Sequence, residues 1–271
     1  MWYSPYVVHD MDGDGKAEVA VKGGEGDPRD ADGKVTSGPE YLLILDGATG
    51  KERTRVDWPT RDGFEGESAY NYFSRNQLSV AYLDGKTPCL VALRGTYNIM
   101  KAVAYQMVDG KLEVLWKWDN VGLSSAHQGQ GAHGTHAVDL DGDGRDEIVL
   151  GSMVLDDDGS VLWTNGKGHP DHAFVGDLDP TRPGLEIYYG YERRQERDGM
   201  CMADARTGEI LWGIDEPTRH VHSIGMCADI DARHPGAECY SADTDAEKQA
   251  LWARLHTAKG ELLSDEMPWG F

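Results

Sequence analysis

The sequence predicts an all-β protein, a β-propeller with about five recognisable four-stranded blades. Three observations lead to this fold class. An aspartate-rich loop recurs along the chain, a glycine-containing turn follows each of these loops, and long helical periodicity is absent throughout. Each repeat therefore combines an acidic hairpin with a glycine-turn hairpin and supplies four strands.

The first hairpin of each repeat contains the acidic loop. Copies are found at residues 10–18, 82–89, 139–147, 177–186 and 229–238. Aspartate and glycine are typical of tight hairpin turns, and apolar, β-rich segments follow the loops. The second copy has Tyr82 at the position of the first aspartate, so we expect no metal ion there.

The second hairpin of each repeat has a turn with glycine, at residues 46–50, 109–110, 156–159, 204–208 and 257–260. Three of these hairpins end in a tryptophan, at Trp116, Trp163 and Trp212. We expect these side chains to pack between neighbouring blades, because radial repetition is how such units bury their faces. Two long polar inserts, at residues 23–38 and 57–76, are predicted to be loops that carry function.

One calcium-binding propeller domain is predicted to cover residues 1–271. Five blades that close alone and five blades of a larger ring are both compatible with the repeat pattern. In a larger ring, the isolated chain would expose apolar faces at residues 1–6 and 262–271. The oligomeric state is not predicted.

Composition excludes several classes of partner. The chain has 47 acidic and 26 basic residues and a net charge of -21, whereas phosphate contacts need lysine and arginine, so nucleic acid is excluded. No apolar run is long enough to span a bilayer, so we expect no membrane insertion. Of the four cysteines, Cys227 and Cys239 bracket an acidic loop and can face each other across adjacent strands, as a disulfide or as buried thiols.

The acidic loops are predicted to bind Ca²⁺. The loops at residues 10–18 and 139–147 begin like an EF-hand, with Gly15 and Gly144 at the sixth position. An EF-hand needs a glutamate at position 12, but Val21 and Leu150 stand there, and the acid comes at the ninth position instead. A calcium-binding turn inside a hairpin remains, since closely spaced carboxylates repel each other unless a hard cation lies among them.

The predicted ligands come from four loops. They are Asp10, Asp12, Asp14, Glu18, Asp139, Asp141, Asp143, Glu147, Asp177, Asp179, Glu186, Asp229, Asp231 and Glu238. In the last two loops, proline and arginine replace the Gly-Asp-Gly segment. There the alternative is an aspartate turn satisfied by backbone amides.

Two histidine clusters precede acidic loops, one with His133 and His136 and one with His169 and His172. A single histidine at a strand end is usually a hydrogen-bonded structural residue. Two clusters in equivalent positions of adjacent blades point instead to a shared site, because such positions converge on the central channel. The sequence therefore predicts a functional centre with His133 and His169.

The segments that carry these motifs resemble the rhamnogalacturonan lyases of polysaccharide lyase family 11. The matching segments are residues 9–22, 37–41 with 46–50, 80–85, 94–97, 129–133, 168–171, 176–186, and 228–231 with 235–238. The resemblance implies an eight-bladed calcium propeller, of which this chain covers about five blades. His136, His172 and Ile224 depart from the family pattern, which leaves another rhamnose–uronate polymer as an alternative substrate.

The same resemblance implies a calcium-dependent lyase that cleaves the rhamnose–uronate backbone of pectin by β-elimination. Its partner would be an acidic plant cell-wall polysaccharide, and its location extracellular or periplasmic, with no signal peptide in this sequence. β-Elimination needs a neutralised carboxylate, a base and an acid. A calcium ion near the channel, together with Lys22 or Arg94, is predicted to neutralise the carboxylate.

His133 or His169 is predicted to act as the base, because imidazole titrates near neutral pH. Alternatively these histidines ligate the cation, although calcium prefers oxygen. Asp171 is predicted to orient His169 or to bind metal.

Two other classes of function remain open. A non-catalytic calcium-stabilised propeller that binds carbohydrate or protein predicts structural calcium without convergent histidines. A quinone-type redox propeller needs a cofactor-stacking tryptophan and a cysteine pair in the channel, for which the sequence gives no support.

Overall fold

The structure is a computed structural model that describes residues 4–65, 70–221, 225–247 and 249–267. Within these residues, twenty strands form five four-stranded antiparallel sheets, in each of which neighbours along the chain pair with each other. The predicted fold class, all-β with four strands per repeat, is confirmed. Ile224 lies outside the described residues. No helix in the described ranges is long and apolar enough to cross a membrane.

The strands follow the chain from sheet to sheet. The first sheet contains β1 (Tyr6–His9), β2 (Glu18–Gly24), β3 (Glu40–Asp46) and β4 (Glu52–Asp57). The second contains β5 (Asn76–Ala81), β6 (Cys89–Arg94), β7 (Lys101–Val108) and β8 (Lys111–Asp119). The third contains β9 (Gly131–Val138), β10 (Glu147–Gly151), β11 (Met153–Leu155) and β12 (Val161–Thr164).

The last two sheets repeat this order. The fourth contains β13 (Pro170–Gly176), β14 (Glu186–Tyr191), β15 (Met200–Asp204) and β16 (Ile210–Gly213). The fifth contains β17 (Met226–Ala228), β18 (Glu238–Thr244), β19 (Ala250–His256) and β20 (Leu262–Ser264). In each sheet the acidic loop joins the first strand to the second, as the prediction of an acidic hairpin requires.

The chain divides into two compact units. Unit 1 contains residues 1–129, 135–149 and 155–162, and unit 2 contains residues 130–134, 150–154 and 163–271. An apolar core in unit 1 includes Leu42, Ile44, Leu90 and Tyr105 from the first two sheets. A core in unit 2 includes Tyr188 and Met202, which pack with Cys239 of the fifth sheet.

Tryptophans at the ends of three hairpins link successive sheets within the units. Each indole N–H donates a hydrogen bond to a backbone carbonyl in the glycine turn of the next sheet. The bonds are Trp116 Nε1 to Asp157 O (2.8 Å), Trp163 Nε1 to Ala205 O (3.1 Å) and Trp212 Nε1 to Ala258 O (2.7 Å). This contact is the packing between blades that the sequence predicted, and it satisfies the polar end of a large apolar side chain.

The glycines of these turns are needed for space as well as for conformation. Gly159, Gly208 and Gly260 have φ angles of 82°, 73° and 83°, in the left-handed region. A Cβ at these positions would lie 2.6, 2.5 and 2.7 Å from the tryptophan ring of the preceding sheet. Any side chain there would push the indole away from its carbonyl partner.

The two long inserts are only partly irregular. In the first, Arg29 and Val35 form an isolated antiparallel bridge. In the second, Tyr70–Ser74 forms a short helix, α1, where the sequence predicts a loop. Five residues give too little periodicity to be recognised as a helix in a polar segment.

Cys227 and Cys239 are directly paired across β17 and β18, with their Sγ atoms 3.1 Å apart. We therefore expect oxidised glutathione to convert this pair to a disulfide by thiol–disulfide exchange. Thiol titration of the unfolded protein should then give two free thiols, while untreated protein gives four. A Cys227→Ser variant should keep all of its three thiols. Four thiols after oxidation would contradict the prediction.

Candidate active site and acidic loops

Five titratable side chains converge in unit 2. His133 lies on β9 and Asp171 on β13, and His169 directly precedes β13. Glu192 follows the last residue of β14, and His220 lies in the segment between β16 and β17. The starts of two neighbouring sheets therefore bring together His133, His169 and Asp171.

The three imidazoles face the two carboxylates through their Nε2 atoms. The distances to Asp171 are 3.1 Å from His133, 3.6 Å from His169 and 3.5 Å from His220. The distances to Glu192 are 3.3 Å from His169 and 4.0 Å from His220. The Nε2 atoms of His133 and His169 are 3.3 Å apart.

His169 is held in one tautomer. Its Nδ1 lies within hydrogen-bond distance of the carbonyl oxygen of Gly131, and a carbonyl can only accept. Nδ1 must therefore carry a proton, which leaves a lone pair on Nε2 in the neutral ring. The side chain is 1% exposed, so this orientation is fixed by packing. A backbone carbonyl that orients a histidine in this way is typical of metal ligands and of general bases.

Asp171 stays ionised in this cluster. Burial raises the pKa of this carboxyl, but the surrounding imidazoles of His133, His169 and His220 outweigh burial and hold the pKa well below its usual range. The permanent negative charge stabilises a proton or a cation on the neighbouring imidazoles.

This cluster has the donors of a metal site. One ligand atom each from His133, His169 and Asp171 lies within 4.8 Å of the others. Nitrogen donors suit a transition metal better than calcium, whereas the carboxylates of Asp171 and Glu192 suit either. The same arrangement also suits proton transfer, because a lone pair on Nε2 lies next to a carboxylate that stabilises the imidazolium.

The acidic loops share one buried contact. In the four loops that end in a glutamate, this residue is at most 2% exposed and accepts a backbone N–H from the start of the same loop. The bonds are Met11 N to Glu18 (3.0 Å), Leu140 N to Glu147 (2.6 Å), Leu178 N to Glu186 (2.9 Å) and Ile230 N to Glu238 (2.9 Å). This contact explains why the acid falls at the end of the loop and not at an EF-hand position.

Two of these loops bring three predicted ligands together. Ligand atoms lie within 4.8 Å of one another in the group of Asp10, Asp12 and Glu18 and in the group of Asp139, Asp141 and Glu147. The remaining aspartate of each of these loops accepts a hydrogen bond from a backbone N–H. Asp14 accepts from Lys16 N and Asp143 accepts from Arg145 N, both at 2.8 Å. In the fourth sheet, Asp179 accepts from the backbone and the hydroxyl of Thr181.

Arginines pair with carboxylates at all four loops, but at residues 139–147 Arg145 pairs with Asp157 and Asp143 and, within the described residues, not with Asp139, Asp141 or Glu147. Arg53 bonds to Asp12 and Glu18, and Arg182 bonds to Glu186 and Asp204. In the fifth sheet, Arg233 pairs with Asp231, and no partner within the described ranges bonds to the buried Oε1 atom of Glu238. In the part of the chain that is described, Glu147 forms no ion pair.

The loop at residues 139–147 is therefore the best fit for a cation. Burial, together with Asp141, Asp156 and Asp139, raises the pKa of Glu147 to about 7. Burial also raises the pKa of Asp156, and Asp157 and Asp158 add to this increase. Carboxylates that repel each other at this density are stabilised by a hard divalent cation.

The pKa of Glu147 predicts a pH dependence in calcium-free protein. Between its ordinary pKa of 4.5 and about 7, the folded state binds more protons than the unfolded state. The free energy of unfolding should therefore fall as pH rises through this window, by on the order of 2–3 kcal/mol. Urea unfolding in chelator near both ends of the window measures the change, and Glu147→Gln should flatten it. An unchanged slope in that variant would contradict the assignment.

Lys22 and Arg94, the predicted partners of a substrate carboxylate, lie together in unit 1 around Glu40. Lys22 Nζ is 2.6 Å from Glu40 Oε1, and a guanidinium nitrogen of Arg94 contacts Glu40 Oε2. Arg94 is 1% exposed and also donates to the carbonyls of Pro59 and Phe73. The Arg94 guanidinium thus donates to three protein acceptors, while the Lys22 ammonium has one acceptor within the described residues for its three N–H groups.

Sequence reasoning missed several members of these sites. Glu192 and His220 complete the histidine cluster, and Glu40 and Arg61 complete the cation cluster. Glu192 had a usable signal, because it follows directly after the fully buried strand β14. His220 and Arg61 lie in irregular segments, where no periodicity shows which side chains meet.

The five four-stranded sheets with acidic hairpin loops and a histidine–carboxylate cluster define a repeat β-protein with a candidate active site. Comparison with known proteins then gives the family. The model of the rhamnogalacturonan lyase family 11 C-terminal domain matches residues 1–270. The chain belongs to this family, as the sequence motifs predicted.

Named relatives come from Bacillus. The chain is 41% identical to the rhamnogalacturonan endolyase YesW and 39% identical to the rhamnogalacturonan exolyase YesX of Bacillus subtilis (strain 168), each over 98% of this chain. It covers 44% and 46% of those proteins, so it spans less than half of their length.

Solved structures give the same family. The crystal structure of the exotype lyase YesX superposes with a TM-score of 0.89 at 38% identity over 98% of this chain and 46% of that chain. The Bacillus licheniformis rhamnogalacturonan lyase PL11 superposes with a TM-score of 0.87 at 39% identity, over 98% of this chain and 47% of that chain. The Vibrio cholerae biofilm matrix protein Bap1 shares the fold alone, with a TM-score of 0.54 at 15% identity.

Proposed function

We propose that the chain is the part of a calcium-dependent polysaccharide lyase that cleaves the rhamnose–uronate backbone of rhamnogalacturonan by β-elimination. The observation that carries the proposal is the convergence of His133, His169 and Asp171 in a family whose relatives are named rhamnogalacturonan lyases. The partner is then an acidic plant cell-wall polysaccharide. A polymer of this size is degraded outside the cytoplasm, so we propose an extracellular or periplasmic location.

The elimination step needs a base beside the C5 proton of the uronate. A neutral imidazole accepts that proton, the C5–H electrons form the C4=C5 double bond, and the C4–O4 bond breaks towards the leaving sugar. His169 Nε2 carries the lone pair for this role, and Asp171 stabilises the resulting imidazolium. His133 Nε2, also beside Asp171, is the alternative base.

Proton return to O4 needs an acid on the same side of the sugar. The imidazolium formed in the first half of the reaction supplies that proton, or His220 supplies it from across Asp171. Three imidazoles around one carboxylate allow one ring to accept a proton while another donates. The cluster therefore contains both functions without a further residue.

A divalent cation held by His133, His169, Asp171 and Glu192 would neutralise the uronate carboxylate and make its C5 proton more acidic. If both histidines ligate the cation, His220 is the imidazole left for proton transfer. The loop at residues 139–147 is the proposed calcium site that supports the fold, with Asp139, Asp141 and Glu147 as ligands.

Mass spectrometry of the products tests the proposed reaction. Rhamnogalacturonan incubated with the protein and calcium should give oligosaccharides with an unsaturated uronate end, lighter by one water than products of hydrolysis. Products with saturated ends would show that the polymer is cleaved by hydrolysis and not by β-elimination. An uncleaved polymer that nevertheless binds the protein would leave the non-catalytic carbohydrate-binding alternative as the function of this chain.

A further inference from the structure

A cavity of 70 Å³ lies in unit 1, between β2, β3, the first insert and α1. A single water molecule needs roughly 10–15 Å³ of such space, so the cavity has room for a group larger than one water molecule. Asp27 and Arg29, which are more than half exposed, line its outer part, so the cavity reaches the surface. Its inner part is lined by Lys22, Glu40 and Arg94.

The cluster of charges centred on Glu40 has more cations than carboxylates, and Lys22 and Arg94 of this cluster line the cavity. Three cations share the single carboxylate of Glu40: Lys22 at 2.6 Å, Arg61 at 2.9 Å, and Arg94. Two positive charges therefore remain without a carboxylate partner in this group. Burial, with smaller contributions from Arg94 and Arg61, lowers the pKa of Lys22 despite its contact with Glu40. A bound anion would remove this penalty.

A buried hydroxyl also points to a ligand. Ser74 is 4% exposed and lines the cavity, and its Oγ has no hydrogen-bond partner within the described ranges. A buried polar atom without a partner costs about 1–3 kcal/mol. Tyr70 and Phe73, one turn away on α1, provide aromatic surface at the same wall.

We propose that this cavity is a subsite for the carboxylate of a uronate residue, in which Lys22 Nζ forms the ion pair and Ser74 Oγ donates a hydrogen bond. Arg94 and Glu40 act as positioning residues, because Arg94 holds Glu40 and Glu40 holds Lys22. The identity of the anion as a uronate rests on the proposed function. The subsite recognises substrate and does not itself need to take part in bond cleavage.

Trp58 provides a reporter for this site. Its indole N–H donates to Asn76 Oδ1 at 2.8 Å, Asn76 lines the cavity, and Lys22 Nζ lies 5.9 Å from the indole centroid. Sodium galacturonate should shift the indole N–H resonance of Trp58 in a saturable titration, and galactose, which lacks the carboxylate, should not. A Trp58→Phe variant assigns the resonance.

Matched variants separate the contacts. Ser74→Ala should weaken galacturonate binding about tenfold with no loss of thermal stability, because it removes a hydroxyl that has no partner. Lys22→Gln should abolish the preference for galacturonate over galactose. Lys101→Gln, a lysine whose Nζ contacts Thr60 outside the cavity, should bind like the parent chain.

Binding of a monosaccharide does not depend on turnover, so this test is independent of the lyase assay. A chain that cleaves rhamnogalacturonan but gives equal Trp58 shifts with galacturonate and galactose would overturn the subsite alone. Saturable, carboxylate-specific binding in a chain that cleaves no polymer would support the subsite and remove the proposed function.

Discussion

His133→Ala and His169→Ala should each lower the rate of rhamnogalacturonan cleavage by about 100-fold or more. Each variant removes an Nε2 atom that faces Asp171, and the pair lies 3.3 Å apart, so neither ring can replace the other without moving. The initial rate of product formation at saturating substrate and calcium measures the effect. The expected loss is in kcat, because the lost interaction acts on the reacting proton.

A matched control is available in unit 1. His127 bonds to Ser124 on a short 3-10 turn and belongs to neither cluster, so His127→Ala should keep the parent rate. His220→Ala separates the two roles of the histidines. A loss as large as that in His169→Ala would assign proton transfer to His220, whereas a small loss would leave it to His133 or His169. Near-parent rates in both His133→Ala and His169→Ala would move the chemistry away from this cluster.

Calcium removal should lower the thermal stability of the protein substantially. A ligand present at a hundred times its Kd stabilises the folded state by about 2.7 kcal/mol, which corresponds to a shift in Tm of about 5–10 °C for a chain of this size. Differential scanning calorimetry with calcium and with excess chelator measures the difference. Magnesium at the same concentration should restore less of the Tm, because carboxylate-rich flexible loops fit calcium better.

The four loops with predicted calcium ligands should not contribute equally to the increase in Tm that calcium produces. Asp141→Asn should remove most of the increase in Tm that calcium produces. The reason is that no arginine in the described structure pairs with Asp139, Asp141 or Glu147. Asp179→Asn is the matched control, since Arg182 already compensates Glu186 in that loop. Equal losses in the two variants would show that arginine pairing does not determine calcium binding.

The repeat pattern made the fold predictable. Each repeat contains one hairpin with an aspartate loop and one hairpin with a glycine turn. The alternation of these two turns along the sequence predicts four strands per repeat without any tertiary information. The tryptophans were equally informative, because a large side chain at the same place in three repeats must meet the same feature of the next repeat. The short helix at Tyr70–Ser74 was missed because five residues in a polar segment show too little periodicity.

The site was predictable only in its repeated part. His133 and His169 were found because each belongs to a histidine cluster that shortly precedes an acidic loop, in two consecutive repeats. Glu192, His220 and Glu40 occur once each, and only the path of the chain in space brings them to their clusters. The compensation of loop carboxylates by Arg53 was likewise invisible, because Arg53 lies two strands away in sequence from the loop it contacts.

The ultraviolet absorbance of the unsaturated uronate tests the central claim most directly, since hydrolysis cannot create that conjugated double bond. The absorbance of a rhamnogalacturonan solution should rise with time when the protein and calcium are added, stop rising with chelator, and resume when calcium is restored. His169→Ala, folded and with its calcium loops intact, should leave the absorbance flat. Cleavage of the polymer without any rise in absorbance, or an undiminished rise in His169→Ala, would contradict a calcium-dependent β-elimination centred on these histidines.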